Sequence, residues 1–323
     1  MAFIQHISTY IPSHKISNEE IAQRFPDWNS AQIFDKIGIK NRNRTAKDEF
    51  SSDIAVKALE NLFSEVKIKK EDIDYLIVCT QSPDYFLPTT ACLAQHRAGL
   101  SKTCGAIDIN QGCSGYIYGL SLADALVSTG NFKNVVLVTA ETYTKHIHED
   151  DKGNLSLFGD AATATLISSS GKYKIGKFNL GTDGSGAENL IIKNGASKKP
   201  KTNDENDLDN FLYMNGKEIF NFTAKNIPGV VQENLILNDV KLEDVDQFVF
   251  HQANTFMLNF LRKKIGIPED KFVLEMENYG NTVSSTIPIA FKKIFNDKND
   301  QVMLVGFGVG YSWGAVCLER HSQ

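Results

Sequence analysis

What this chain has little of narrows its chemistry first. It holds five cysteines (Cys79, Cys92, Cys104, Cys113 and Cys317), and no two of them form a CxxC pair. Zinc sites and disulfide frameworks rely on such paired spacings, so neither is expected to organise the fold. Apolar runs are short, and none reaches the roughly 18 residues of a membrane-spanning helix. Positive charge is not in excess: 34 Lys and Arg stand against 39 Asp and Glu, a net charge of −5. Nucleic-acid binding draws its affinity from a basic face, so nothing here suggests it. The opening MAFIQHISTYIPSHKIS has no basic flank followed by an apolar core. A targeting segment is therefore not expected, and a cytoplasmic protein is.

What is present is an ordinary globular composition, 42% hydrophobic over 323 residues. That length lies where single cores stop growing, which favours two subdomains. Short β-branched runs alternate with helical stretches, the pattern of an α/β fold with covered sheets. The order of elements occurs twice. In the first half, strand 74–82, helix 89–100, strand 104–110, a turn at Cys113 and helix 114–129 precede strands 134–141 and 161–168. In the second, strand 246–254, helix 255–266, strand 271–278, turn 279–285 and helix 286–295 precede strands 301–308 and 314–319. From 74 to 246, from 113 to 281 and from 134 to 301, the lag stays close to 170 residues. A duplicated unit explains a constant lag better than chance alternation. The expected halves are residues 1–170, carrying Cys113, and 171–323, carrying His251 and Asn281. Ligands of open α/β sheets gather at the carboxyl ends of strands, where these three side chains would meet.

Cys113 stands in INQGCSGY, between glycines, after a strand and at the start of a helix. Unpaired N–H groups and the dipole at a helix start favour an anion, so a lowered thiol pKa is expected. The helix that follows is apolar on nearly all sides (Tyr116, Ile117, Leu120, Leu122, Ala125, Leu126) and is expected to be buried. A lone free cysteine is more often a small core residue than a nucleophile. By the same standard a histidine ending an apolar strand is usually a core residue, and an Asn in a turn is ordinary. The set is more specific than its members. His251-Gln-Ala-Asn254 and Tyr279-Gly-Asn-Thr282 occur with a C-terminal Gly306-Phe-Gly-Val-Gly-Tyr-Ser-Trp-Gly314. That glycine run is followed by strand-like GAVCLE, whereas a dinucleotide fingerprint must open a helix.

With these motifs in this order, the sequence resembles the β-ketoacyl-ACP synthase III family of the thiolase superfamily. The likeness runs along nearly the whole chain, including LFGDAATATLI (157–167) and MNGKEIFNF (214–222). It implies a thiolase-like fold of duplicated α/β halves in layered αβαβα architecture, forming a homodimer. It also implies a Cys113–His251–Asn281 site that needs no cofactor or metal, with acyl-CoA and malonyl-ACP as substrates and acyl carrier protein as partner. The implied reaction is acylation of Cys113, then decarboxylative Claisen condensation to a 3-oxoacyl-ACP, the initiation step of fatty-acid synthesis. In it the backbone N–H groups of Cys113 and Val309 form the oxyanion hole.

By family correspondence, Lys36, Lys152, Asn254, Lys263 and Lys264 contact CoA or the carrier, and Leu87, before Pro88, gates the partner subunit's acyl pocket. Leucine stands where phenylalanine is familiar, which leaves room for a starter longer than acetyl. Two departures touch carrier recognition: Phe256 replaces a familiar arginine, and Gln32 stands where a channel tryptophan is expected, with Trp28 nearby. The charged stretch 196–210 reads as a mobile cap or surface loop, and His146 and His148 in HIHED as a solvated loop. A thiolase would need a second cysteine in the last glycine loop, but Cys317 falls in the strand after it. A hydroxymethylglutaryl-CoA synthase would need a glutamate near Thr80-Gln81-Ser82, where Asp84 is the only nearby acid. A non-catalytic partner subunit would have lost the cysteine. The remaining rival is a specialised synthase III-like enzyme that condenses or transfers an unusual acyl group in polysaccharide or secondary-metabolite biosynthesis.

Overall fold

The computed structural model describes residues 1–321. Strand β1 (Phe3–Tyr10) leads into an insertion of β2 (His14–Ser17), α1 (Asn18–Arg24), α2 (Ser30–Ile37) and β3 (Asn41–Arg44). The first half continues through α3 (Ser51–Glu65), β4 (Tyr75–Cys79), α4 (Thr90–Arg97), β5 (Gly105–Ile109) and α5 (Gly115–Ser128). It closes with β6 (Asn134–Glu141), α6 (Lys152–Leu157) and β7 (Ala161–Ser168). The second half contains β8 (Tyr173–Thr182), the short β9 (Leu190–Ile191) and β10 (Tyr213–Met214), and α7 (Gly216–Asn238). It ends with β11 (Gln247–Phe250), α8 (Thr255–Ile265), α9 (Thr286–Ile294), β12 (Gln301–Gly308) and β13 (Ser312–Arg320).

Nine strands join in the order β11-β12-β13-β8-β1-β7-β6-β4-β5. The seam between β1 and β8 is thin, with Phe3 opposite Lys174 and Ile4 opposite Tyr173. On either side of it the pairings repeat: β1–β7 and β8–β13 antiparallel, β7–β6 and β13–β12 antiparallel, β6–β4 and β12–β11 parallel. The counterpart of β5 departs from expectation. Residues 271–278 form no strand, and only Phe272 makes a parallel bridge, to Phe248. The side chain of Gln252 takes the backbone groups that a paired strand would use. Its Nε2 donates to the Val273 carbonyl at 3.2 Å, and its Oε1 accepts from Glu275 N–H at 2.8 Å.

Helices cover the sheet in three layers. In β6, Val135 and Leu137 face α5 and α9, whereas Val136, Val138 and Ala140 face α3 and α4. Such two-sided burial is why NVVLVTA is apolar without alternation. The α5 and α9 layer is shared by both halves, since Ile117, Leu120, Ile287 and Phe291 pack with Leu137, Leu304 and Val316. Beyond the second half lie α7 and α8, packing Val231, Leu258 and Leu261 against Phe248 and Met303. The expectation that α5 is buried all round holds only on this inner side: Leu122 is exposed on its outer face. The fully buried Arg42 fastens the insertion to α6, donating to Asn18 Oδ1 and the Ser156 carbonyl, both at 2.7 Å.

The two halves also meet directly. Asn281 N–H donates to the Leu157 carbonyl at 2.9 Å, and Gly159 N–H to the Asn281 carbonyl at 3.0 Å. A methyl at Gly159 would stand 2.2 Å from the Tyr279 carbonyl oxygen, so Gly159→Ala should destabilise the fold by about 1–3 kcal/mol. At exposed Gly229 in α7 a methyl meets nothing, so Gly229→Ala should stabilise by roughly 0.5–1 kcal/mol. Chemical denaturation of both variants checks the pair, and equal midpoints would contradict this packing.

Candidate active site

After β5, residues 110–114 turn sharply into α5, closed by a 2.7 Å bond from Gly115 N–H to the Gly112 carbonyl. The surrounding glycines serve close approach. A methyl at Gly308 would sit 2.7 Å from Cys113 Cβ and 3.0 Å from its Sγ, and one at Gly112 would meet Val309 Cγ1 at 2.6 Å. The end of β12 therefore lies flat against the cysteine turn. The backbone N–H groups of Cys113 and Val309 lie close enough to the thiol to favour its anionic form.

His251 follows β11 and is held by its backbone, whose N–H donates to the Val305 carbonyl at 2.8 Å. Its Nδ1 lies 2.7 Å from Thr286 Oγ1, which also donates to the Val283 carbonyl at 3.0 Å. Phe307 meets the imidazole edge-on at 5.6 Å. Asn281 Oδ1 accepts from Val283 N–H at 2.9 Å, which leaves its Nδ2 hydrogens available as donors. Cys113, His251 and Asn281 line one cavity of about 80 Å³, with Phe158, Met257 and Gly308 among its walls. Asn254, Met214, Leu157 and Gly216 also border an outer cavity of about 760 Å³ that opens beyond it.

Electrostatically the site is kept neutral. Burial, then the Glu141 carboxylate, pushes the Cys113 thiol up to about 12, while the two backbone N–H groups work the other way. This reverses the lowering expected from a helix start. The helix begins two residues later, at Gly115, and the thiol is buried beside a carboxyl. Burial also holds His251 down to about 3, which favours the uncharged ring. Burial raises Glu141 to about 8, against hydrogen bonds from Ser284, Gln81 and Ser82.

Comparisons with known proteins give the family of the chain. Residues 107–184 match the family model described as 3-oxoacyl-[acyl-carrier-protein (ACP)] synthase III, and 235–320 match its C-terminal model. A β-ketoacyl-[acyl-carrier-protein] synthase III of Clostridium perfringens is 36% identical over 96% of each chain. The chain belongs to the 3-oxoacyl-ACP synthase III family. A crystal structure of a 3-oxoacyl-(acyl-carrier-protein) synthase III superposes with a TM-score of 0.94 at 43% identity, covering 99% of each chain. That of the Thermus thermophilus synthase III gives 0.90 at 34% identity, over 99% of this chain and all of the other. The layered, duplicated architecture is the thiolase-like fold of this synthase III family.

Within that family frame, the residues expected to bind substrate fall into three places. Asn254 borders both cavities and caps α8, accepting from Met257 N–H at 2.8 Å. Lys36 lines the outer cavity with its Nζ 5.5 Å from the Trp28 ring, and Lys152 stands 5.1 Å over the same ring while pairing with Asp27. Trp28 thus occupies the mouth, which corrects the reading that Gln32 had replaced a tryptophan there. Gln32 is exposed and completes the capping box of α2 with Asn29. Lys263 and Lys264 lie on the last turn of α8, outside both cavity walls, and Lys264 donates to the Ala224 carbonyl at 2.8 Å. Leu87 is 81% exposed in a loop with Tyr85 and Phe86. Phe256 packs against Phe220 on the surface, 5.6 Å between ring centres. His148, read as solvated, is half-buried against Phe211 at 4.8 Å and forms outer-cavity wall. The stretch 196–210 is tied by Asn210, which accepts from Thr202 N–H at 3.1 Å and Asn194 Nδ2 at 3.0 Å. Leu208, at its end, lines the outer cavity.

Sequence reasoning passed over Thr286, Ser284 and Glu141. Only Glu141 left a signal, an acid closing an otherwise apolar strand. A neutral His251 has a kinetic consequence. The rate of carbon dioxide release from malonyl-ACP, the step expected to use His251 as a donor, should show no limb near pH 6.5, the ordinary imidazole value, because the folded ring takes up its proton only near pH 3. Single-turnover rates across about pH 5–8 test this, and an acid limb centred near pH 6.5 would show an ordinary imidazole.

Proposed function

We propose that this chain is a β-ketoacyl-ACP synthase III that joins an acyl-CoA starter to malonyl-ACP and releases a 3-oxoacyl-ACP. The observation that carries the reading is the one cavity that Cys113, His251 and Asn281 line together, with the Cys113 and Val309 N–H groups near the thiol. Such a cavity suits a thiol that accepts an acyl group and donors that stabilise an enolate.

In acylation, Cys113 Sγ attacks the thioester carbonyl, the bond to CoA sulfur breaks, and the thiol proton ends on the departing CoA sulfur. The N–H groups of Cys113 and Val309 hold the carbonyl oxygen while it carries negative charge. Malonyl-ACP then enters, and cleavage of its carboxylate as carbon dioxide leaves an electron pair in the enolate. Asn281 Nδ2–H and His251 Nε2–H stabilise that enolate oxygen. Thr286 can donate to His251 Nδ1, which places the ring proton on Nε2, where the enolate needs it. The enolate carbon attacks the acyl thioester, the carbon–sulfur bond breaks, and Cys113 recovers a proton. The pantetheine arm fits the outer cavity, past Trp28 and Asn254. Acyl-CoA and carrier substrates make the cytoplasm the expected compartment.

We read the working form as a homodimer. Exposed Tyr85, Phe86, Leu87, Ile107 on the edge strand β5, Leu122 and Leu180 supply apolar surface for a second copy. The division into residues 1–170 and 171–323 then assigns the nucleophile to one half and the enolate donors to the other.

Product analysis with an acyl-CoA panel and malonyl-ACP tests the reading, with 3-oxoacyl-ACP identified by mass as the expected outcome. Cys113→Ala should abolish product while remaining folded. Asn281→Ala and His251→Ala should still acylate Cys113 but lose decarboxylation by about 10²–10³-fold. Normal decarboxylation by Asn281→Ala would remove that residue from the mechanism.

The gate gives a separate expectation. A leucine wall leaves volume for a longer chain, and each buried CH₂ adds about 0.8 kcal/mol, roughly fourfold. Wild-type acylation should prefer starters of about four or more carbons over acetyl, and Leu87→Phe should reverse this in the kcat/KM ratio. An unchanged ratio, with Phe86→Ala altering it, would assign the gate to Phe86.

A further inference from the structure

The turn that carries Asn281 is fastened to the first-half sheet by two serines. Ser285 Oγ lies 2.8 Å from Thr139 Oγ1 and 3.2 Å from the Ala161 carbonyl it donates to. Ser284 Oγ donates to Glu141 Oε1 at 2.8 Å. The other carboxyl oxygen of Glu141 accepts from Gln81 N–H and Ser82 Oγ–H, each at 3.2 Å. Glu141 is fully buried, and among the described residues no lysine or arginine pairs with it. An acid placed there is costly, so its three bonds have to contribute something that an apolar side chain could not.

What they join is informative. Gln81 and Ser82 follow β4, Glu141 ends β6, and Ser284 sits three residues after Asn281. A methyl at Gly115 would stand only 3.6 Å from Ser284 Cβ, so the bridge lies directly beneath the Cys113 turn. Between Asn281 and Ser284, Val283 has φ 54°, a left-handed conformation that a β-branched residue adopts only under constraint. Its N–H holds the Asn281 amide, and its carbonyl takes the Thr286 hydroxyl that also touches His251. Relaxing Val283 would therefore move both enolate donors together. The Cys113 turn has its own supports, the Gly112–Gly115 bond and the packing of Gly308.

We propose that Glu141 is a positioning residue for the condensation step, holding Ser284 and through it the Asn281 amide and the His251–Thr286 pair against the Cys113 turn. The inference rests on the reaction proposed above. It assigns Glu141 to the enolate step, leaving acyl transfer to Cys113 largely unaffected. The carboxyl acts by its shape and its hydrogen bonds. Both bonds to Oε2 suit the carbonyl oxygen of a glutamine, whose amide would donate to Ser284 Oγ in place of the bond now received.

Two rates on the full-length protein test this: Cys113 acylation from acyl-CoA, followed by intact mass, and carbon dioxide release from malonyl-ACP. Glu141→Ala should lower carbon dioxide release about 10²-fold, the scale of a small misplacement of reacting groups, with the loss in kcat rather than KM. Its acylation rate should stay within about threefold of wild type. Glu141→Gln should recover carbon dioxide release to within about threefold. Ser284→Ala, a smaller change that carries the test if Glu141→Ala does not fold, should lose about tenfold in the same step only. Equal losses in both rates, a glutamine variant as impaired as the alanine one, or an undiminished Ser284→Ala would each overturn the proposal. Failure of the parent reading looks different, because wild type itself would then not acylate Cys113.

Discussion

Six consecutive residues, Asn281 to Thr286, hold this site together through side chains that point in different directions. Asn281 faces the cavity, Ser284 and Ser285 reach Glu141 and Thr139 of the first half, and Thr286 meets His251 at 2.7 Å. The turn is thus the joint between halves and also the support for Asn281 and His251, the proposed enolate donors. Remove it and Cys113 keeps its glycine cradle but loses partners. The strained Val283 in its middle shows that the surrounding bonds over-determine its shape.

The same burial that fixes these groups also settles their charges. A cavity with a thiol pushed up to about 12 and an imidazole held down to about 3 contains no standing ion pair. In the proposed reaction, charge develops there only on an oxyanion or an enolate, which the proposed N–H donors would meet. Preorganised dipoles in a dry site need not reorganise as charge develops, which is where such sites gain most of their rate. A cysteine–histidine ion pair would instead have reacted with any electrophile that entered. Glu141 is the exception, a carboxyl beside the nucleophile whose anionic form opposes further negative charge, and hydrogen bonds rather than a cation hold it.

Much of this was legible in the order of residues. The repeated strand–helix order and the near-constant lag between halves correspond to the repeated pairings on either side of the β1–β8 seam. The glycines around Cys113 and in 306–310 signalled close backbone approach, which Gly308 against Cys113 Sγ makes concrete. What failed did so for local reasons. KFVLEMEN has a strand's composition, but Gln252 supplies its hydrogen bonds from a side chain, and composition carries no trace of that. A helix start taken alone implies a lowered thiol pKa, whereas depth and Glu141, 28 residues further along the chain, outweigh it. Gln32 stands where the family's tryptophan is expected, but the fold carries the nearby Trp28 ring to the wall of the outer cavity. Thr286 and Ser284 look like ordinary helix-start residues until the second half folds onto the first.

The central claim is that Cys113 is the acyl acceptor. The direct measurement is peptide mapping by mass spectrometry after brief exposure of the wild-type protein to acyl-CoA without malonyl-ACP. The account predicts one acyl group per chain, in thioester linkage on the peptide containing Cys113 and absent from those containing Cys79, Cys92, Cys104 and Cys317. Acylation of exposed Cys92 instead, or no adduct while 3-oxoacyl product still forms when malonyl-ACP is added, would contradict it.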